Sequence, residues 1–166
     1  MKYIAILLTA LTFSTADVLA QKFGHVDSQL LLDTLPETAV AQAELEKLNM
    51  EFEEALTQQK AELEGLVAEI QRLQQDPAVS EFVLNTKISK YQADEQRLNE
   101  TYQAAQQTLN LKEQELLSPI IEKARQAIKD VGAENGFTYI FDLQNGGIIY
   151  DGGENVMPLV LTKLGI

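Results

Sequence analysis

The sequence FTYIFDLQNGGIIYDG, residues 137–152, decides the fold expected for this chain. Two segments rich in β-branched and aromatic residues, 139–143 and 148–150, lie on either side of Asn145 and Gly146. Such segments are typical of β-strands, and an Asn-Gly pair accepts the positive φ angles of a tight turn. The stretch therefore predicts a two-stranded β-hairpin.

This hairpin needs apolar cover that a pair of long helices does not supply. Residues 23–27 at the other end of the chain predict a third strand. Because segments 139–141 and 148–150 are apolar on both faces, helices on one side leave the other side bare. We expect copies of the chain to complete the core; the alternative is that terminal helices cover both faces within a monomer. The side chains expected in this oligomer body are Phe23, Val26, Tyr139, Phe141, Ile148 and Tyr150.

The middle of the chain has the pattern of two long helices. Apolar residues recur at spacings of three, four and seven on both sides of Pro77, a pattern typical of a coiled coil. The predicted contact positions are Leu45, Phe52, Leu56, Leu63, Leu66, Ile70 and Leu73 before the proline, and Leu84, Ile88, Tyr91, Leu98, Tyr102, Leu109 and Leu116 after it. Gln59 and Glu95 are the polar interruptions.

The two helices are predicted to form an antiparallel hairpin that folds back near Pro77. If facing residues have numbers that add up to about 154, most contact positions pair and Gln59 faces Glu95. The predicted fold class is thus α+β and mainly helical, with a long antiparallel coiled-coil hairpin arm projecting from a small β body completed by trimerisation. Residues 36–133 are assigned to the arm, and residues 21–35 and 134–166 to the body.

Residues 1–20 have the layout of a cleavable secretory signal peptide. Lys2 gives a positive start, residues 3–13 are an apolar run, and Ala20 is a small residue at the expected cleavage position. An uncleaved membrane anchor is the alternative, although about eleven apolar residues are few for a span of about 20. The chain has no cysteine, which excludes disulfides and thiol chemistry. We expect export to a bacterial periplasm.

The composition and motifs exclude several classes of function. The formal net charge of −12 argues against nucleic-acid binding, which depends on Lys and Arg that neutralise phosphates. No catalytic constellation, cofactor motif or metal-ligand pattern is found, so we expect no enzyme, no cofactor and no metal. His25 is interpreted as structural. Asp142, Asn145, Asp151 and Glu154 are interpreted as turn residues, because they do not match the calcium-loop pattern.

Some apolar residues of the helices lie off the predicted contact positions. Exposed apolar side chains often mark interaction sites, and methionine adapts to varied partners. The alternative is that these residues complete the packing of the hairpin or its turn. The hypothetical client-binding residues are Met50, Val67, Val79, Phe82, Val83 and Leu111.

The order of these segments resembles the Skp (OmpH) family of periplasmic chaperones. The resemblance is carried by an export signal, GHVDSQLLLDTLPE at residues 24–37, the heptad helices with Pro77 between them, and YIFDLQNGGIIYDG at residues 139–152. It covers essentially the whole mature chain. It implies a homotrimer whose helical arms enclose a cavity, and an ATP-independent holdase that binds unfolded outer-membrane β-barrel proteins and prevents their aggregation.

The charge of the helices departs from the best-known family members, which are basic. Eight glutamates crowd the first long helix, at positions 44, 46, 51, 53, 54, 62, 64 and 69. Contact with lipopolysaccharide or an anionic membrane is therefore not expected. Two alternative functions stay open: an exported coiled-coil spacer or adaptor without clients, and a cytosolic holdase of the prefoldin kind.

Overall fold

The computed structural model describes residues 21–166, and the predicted signal peptide at residues 1–20 lies outside them. The chain is mostly helical with one small sheet, as predicted. Its elements are β1 (Lys22–Val26), α1 (Ser28–Thr34), α2 (Pro36–Gln74), α3 (Glu81–Glu134), β2 (Phe137–Asp142), a 3-10 turn (Leu143–Asn145), β3 (Glu154–Asn155) and α4 (Met157–Leu164).

The chain divides into two compact units. The sheet unit consists of residues 21–31 and 124–166, and the helical unit consists of residues 32–123. The boundaries between them fall within α1, after Leu31, and within α3, after Lys123. Each unit is described separately below.

The sheet is entirely parallel, with strand order β2-β1-β3. Phe23 is paired with Tyr139 and His25 with Phe141, while Gly24 is paired with Glu154 on the other edge of β1. The predicted hairpin is therefore wrong. A parallel pair needs a long connection, and the connection from β1 to β2 is the whole helical segment between them.

The turn at Asn145 and Gly146 exists but does not reverse the chain into a hairpin. Asp142 Oδ1 accepts a hydrogen bond from the Gln144 N–H at 3.2 Å, which starts the 3-10 turn. Gly146 ends this turn at φ 66°, and no non-glycine residue of 21–166 has a positive φ. A two-residue type I′ hairpin requires positive φ at both central residues. Residues 148–150 form no strand, and the third strand follows at Glu154–Asn155.

Two aspartates connect the ends of β1 and β2. Asp27 Oδ1 accepts the Leu30 N–H at 2.9 Å, which caps α1, and the Gln144 Nε2–H at 2.8 Å. The carboxylate of Asp142 accepts the Ser28 hydroxyl at 2.7 Å and the Ser28 N–H at 3.2 Å. The hydrogen bond from Leu30 is the largest cause, and that from Gln144 the second, of a lowered pKa for Asp27.

One face of the sheet packs on helices to form the core of the sheet unit. Gly24 allows this close packing, because a Cβ there would lie 2.8 Å from Val156 Cγ1 and 2.9 Å from the Phe137 ring. Gly132 of α3 likewise lies against Ile140, whose Cδ1 would be 3.3 Å from an added Cβ. The buried apolar side chains of this unit are Val26, Leu31, Ala124, Ala127, Val131, Val156 and Val160.

The helical unit contains α2 and the first part of α3 in antiparallel pairing. Lys87 contacts Glu69 at 2.9 Å and Lys112 contacts Glu44 at 2.9 Å, so positions later in α3 meet positions earlier in α2. The residue numbers in both pairs add up to 156, close to the predicted 154. The antiparallel hairpin is confirmed for this unit.

The contact positions of α2 follow the heptad prediction. All seven predicted apolar positions, and Gln59 as well, are buried or half-buried. On α3 the prediction is wrong at two places: Glu95 and Tyr102 are exposed, and Asp94, Thr101 and Ala105 take the inner positions. Gln59 Nε2 accordingly contacts Thr101 Oγ1 at 3.4 Å rather than Glu95.

The turn between α2 and α3 is built by short polar side chains. Asp76 Oδ1 accepts the Ala78 N–H at 2.9 Å, and Pro77 lies within the turn. Ser80 then caps α3, since its side-chain Oγ accepts the Val83 N–H at 3.4 Å. The chain thus reverses at residues 75–80, where the sequence predicts the reversal.

The close packing at Gly24 predicts a loss of stability for Gly24→Ala. The added methyl group would overlap Val156 and Phe137, at a cost of about 1–3 kcal/mol. Gly65→Ala is the matched control, because Gly65 lies inside α2 with open space around its Cβ; alanine there should stabilise the helix by up to about 1 kcal/mol. Urea unfolding measures the stability of both variants, and hydrogen exchange of residues 22–26 measures the protection of β1. Unchanged protection of β1 in Gly24→Ala would contradict the packing.

The lowered pKa of Asp27 predicts part of the acid sensitivity of the sheet unit. A carboxyl whose pKa is lower in the folded state stabilises the fold above its unfolded pKa of about 4, and this stabilisation is lost as the pH falls through the folded value. Asp27→Asn keeps an oxygen acceptor for Leu30 but removes the charge. We expect a less stable protein at pH 7 with a smaller further loss on acidification, measured by urea unfolding. Equal acid sensitivity of both proteins would refute this.

Candidate functional site

Three aromatic side chains form an exposed layer on the sheet unit, which we call the aromatic face: Phe23, Tyr139 and Phe141. The rings of Phe23 and Tyr139 are stacked with centroids 6.1 Å apart, and those of Tyr139 and Phe141 are 6.0 Å apart. Their exposed fractions are 41%, 58% and 45%. Such a contiguous aromatic surface is rarely left in water by a soluble protein.

The strand pleat explains why these rings share one side. Successive side chains of a strand point to opposite faces of the sheet. Phe23 and Tyr139 are therefore on one face, and Gly24 and Ile140 are on the other. Gly24 and Ile140 face the helices of the sheet unit, as shown by their contacts with Val156 and Gly132. The aromatic face is therefore the side of the sheet that no helix of this unit covers.

The six residues predicted for the oligomer body differ in burial. Val26 is buried in the core of the sheet unit and Ile148 is half-buried. Tyr150 is exposed, as is its neighbour Ile149, which the sequence analysis did not single out. An open groove of about 810 Å³ between β1 and residues 147–153 is lined by Ile148, Ile149 and Tyr150 together with Phe23 and Phe141 of the aromatic face.

Charged and titratable side chains line this groove. Lys22 Nζ lies 2.9 Å from Glu154 and 3.9 Å from the centre of the Phe137 ring, which combines an ion pair with a cation–π contact. His25 Nε2 lies 3.9 Å from an Asp151 carboxylate oxygen. In the described part of the chain, no group of three or more His, Asp or Glu side chains is placed to hold a metal ion.

The predicted client-binding residues lie in the helical unit, and most of them are exposed. Phe82 is 80% exposed because it stands in the first turn of α3, where no preceding helical turn covers it. Met50, Val83 and Leu111 are also exposed, whereas Val67 and Val79 are half-buried. The structure does not bring the six together into one pocket; whether they bind clients stays a prediction.

The exposure of Leu111 follows from its neighbour Lys112. Lys112 occupies an inner position of α3, where a hydrogen bond from its ammonium to Glu44 is the largest cause of a raised pKa. A helix that turns Lys112 inward presents Leu111 to solvent. The sequence analysis placed Leu111 off the contact positions, but it did not predict the inner position of Lys112.

Most of the charge of the chain lies in the helical unit. Residues 32–123 carry eighteen acidic and eight basic side chains, a net charge of −10. Most of the basic side chains are already in ion pairs within the unit: Lys47, Lys87, Lys90, Arg97, Lys112 and Lys123. The surface therefore offers a large excess of carboxylates and few cations to any partner.

Besides Ile149, the sequence analysis missed four exposed large apolar residues: Leu30, Val40, Ile121 and Ile166. Val40 of α2 and Leu30 of α1 are both more than half exposed. Val40 is off the heptad positions and could have been found by the same criterion that selected Met50. Leu30 belongs to a helix of seven residues, which is too short for a reliable periodic pattern.

None of the helices within residues 21–166 is long and apolar enough to span a membrane. Comparison with curated proteins gives no match. Among solved structures, the crystal structure of an OmpH-like outer membrane chaperone from Caulobacter crescentus CB15 has the same fold, with a TM-score of 0.72. The two sequences are 14% identical, and the match covers 87% of this chain and 83% of that one.

The sequence also matches a family model over nearly all of the described residues. Residues 22–164 match the family described as Outer membrane protein (OmpH-like). This range includes β1, both long helices, β2, β3 and α4. The chain therefore belongs to the OmpH-like family.

Proposed function

We propose that this protein is an ATP-independent holdase chaperone of the periplasm that binds unfolded outer-membrane β-barrel proteins and prevents their aggregation. The observation that carries the proposal is the set of exposed apolar side chains on the long helices of a chain that belongs to the OmpH-like family. An unfolded client has no fixed shape, so many weak apolar contacts suit it better than one deep pocket.

The aromatic face supports the second part of the proposal, a homotrimer. Three aromatic rings remain 41–58% exposed in the single chain, and burying the exposed half of each in an interface would contribute about 0.7–1.5 kcal/mol. In a trimer of cyclic symmetry, three copies of this surface meet around one axis. We propose that client chains are held in a cavity between the helical hairpins of the three subunits.

The proposed location in the periplasm depends on the signal peptide predicted at residues 1–20. A signal peptide cleaved after Ala20 and the absence of cysteine are both consistent with a periplasmic protein. N-terminal sequencing of the protein from the native cell tests this point. An intact Met1 on cytosolic protein would favour the prefoldin-like alternative.

Substitution of the aromatic face should dissociate the trimer. We expect native mass spectrometry of the protein without residues 1–20 to give the mass of three subunits. The double substitution Tyr139→Ser and Phe141→Ser should give monomers of unchanged helicity, because both rings lie outside the core of the sheet unit. Leu30→Ser is the control, since Leu30 is 56% exposed and belongs to the same unit, but lies on α1 rather than on a strand. A monomeric unsubstituted protein would contradict the trimer.

Substitution of exposed apolar residues at the start of α3 should weaken client holding. We expect Phe82→Ser with Val83→Ser to keep the oligomeric mass and to need several-fold more protein to suppress aggregation of a urea-diluted barrel protein, measured by light scattering. Gln106→Ser with Gln107→Ser is the control, because it shortens two exposed side chains of the same helix without removing apolar surface.

Two results would count against the client-holding proposal. If the Phe82 and Val83 double variant suppresses aggregation as well as the unsubstituted protein, these residues do not hold clients. If the unsubstituted protein itself has no effect on aggregation, the spacer or adaptor alternative is favoured.

A further inference from the structure

One exposed apolar side chain of α2 is surrounded by carboxylates on its own helix face. Met50 is 56% exposed, and residues three and four positions away on a helix are its nearest surface neighbours. Three of these neighbours are glutamates, Glu46, Glu53 and Glu54, and all three are exposed. We call these four residues the Met50 patch.

The carboxylates of the Met50 patch are not neutralised within the chain. The side chains of Glu46 and Glu54 form no ion pair or hydrogen bond with any residue of 21–166, and the Glu53 carboxylate accepts only a neutral hydrogen bond from Asn49 at 3.0 Å. The fourth neighbour of Met50 is Lys47, three positions before it, and its ammonium lies 3.8 Å from a Glu51 carboxylate oxygen. Met50 is thus an adaptable apolar side chain beside three carboxylates that no cation of residues 21–166 pairs, and the one adjacent cation, Lys47, is already in an ion pair with Glu51.

We propose that the Met50 patch binds segments of unfolded polypeptide in which an apolar side chain stands beside Lys or Arg. The inference rests on the proposed holdase function and names the class of client segment that this surface selects. Methionine adapts to apolar side chains of different shape, and the glutamates attract cationic neighbours. The same glutamates repel acidic segments, so the patch discriminates by charge as well as by hydrophobicity.

Charge complementarity excludes the other occupants of this face. A second helical unit would bring its own net charge of −10, and nucleic acid or an anionic membrane would bring phosphates, so all of them are repelled. The helical unit has few unpaired cations that could offset this repulsion, because six of its eight Lys and Arg side chains are in ion pairs. A cationic, partly apolar chain is the partner that satisfies both features of the patch.

The test compares three fluorescent peptides that share their apolar residues and carry Lys, Ser or Glu at the positions between them. Binding to the purified protein is measured by fluorescence anisotropy. We expect the Lys peptide to bind most tightly and the Glu peptide least tightly. High salt should remove the difference, because at about 1 M the screening length falls to about 3 Å.

Neutralising the patch should remove the preference without abolishing binding. The triple variant Glu46→Gln, Glu53→Gln and Glu54→Gln should bind the Lys peptide roughly five- to tenfold more weakly, as expected for the loss of three exposed ion pairs. Its affinity for the Ser peptide should stay within about twofold. Met50→Ser should instead weaken binding of all three peptides by a similar factor.

A matched triple variant separates the patch from the general negative field of the unit. Glu62→Gln, Glu95→Gln and Glu100→Gln makes the same change in net charge at three exposed positions. None of the three has an exposed large apolar side chain three or four residues away on its helix. We expect this control to keep its affinity for the Lys peptide within about twofold.

The outcomes distinguish the inference from the function on which it rests. Equal loss of affinity in the two triple variants, or equal binding of the three peptides by the unsubstituted protein, would overturn the Met50 patch while the holdase function stands. Failure of the unsubstituted protein to bind any of the peptides would refute the holdase function and the inference together.

Discussion

The central strand β1 is the constraint on which the sheet unit depends. It is five residues long, and both of its hydrogen-bonding edges are taken by strands from the other end of the chain. Neither β2 nor β3 contacts the other, so without β1 no sheet exists. The residues of β1 also contribute to both faces of the sheet. Gly24 and Val26 face the helices, while Phe23 belongs to the aromatic face.

The helical unit is held together by different means. Its contacts are repeated along two long helices, with apolar residues at inner positions and ion pairs such as Lys87–Glu69 beside them. Exposed ion pairs contribute little each, about 0–1 kcal/mol, so the apolar contacts supply most of the stability. The ion pairs also determine which charges stay unpaired on the surface. Most Lys and Arg side chains of the unit are paired, so the unpaired charges are mainly carboxylates such as those of the Met50 patch.

The sequence predicts the helices well and the sheet poorly, for identifiable reasons. On α2 all seven predicted heptad positions are buried or half-buried, because Leu, Phe and Ile at this spacing lie on one face of the helix and are buried together when that face packs on a partner helix. On α3 the extrapolation fails at Tyr102, since a helix of 3.6 residues per turn drifts relative to a strict seven-residue repeat. The small Thr101 and Ala105 then take the inner positions, and no hydrophobicity pattern marks them. For the sheet, the Asn-Gly signal predicts a turn but not the parallel pairing that follows it.

The candidate site was predictable only in part. Residues such as Met50 and Phe82 stand out as apolar side chains off the heptad positions, and they are exposed. The three-ring stack of the aromatic face required the register of β1 against β2, which depends on two segments at opposite ends of the chain. To identify which charged side chains are paired, one needs the contacts between the helices, and the spacing of residues along the sequence does not give them.

The distance along the chain between β1 and its partners has a consequence for biogenesis. More than a hundred residues separate Phe23 from Tyr139, so β1 is made long before either of its neighbours. Local helical contacts form fast and distant strand pairing forms slowly. The helical hairpin can therefore fold during synthesis, whereas the first strand stays without its backbone partners, and with its phenylalanine in water, until the last thirty residues are made. A protein proposed to protect unfolded chains thus passes through an interval in which its own N-terminal strand is the segment most in need of protection.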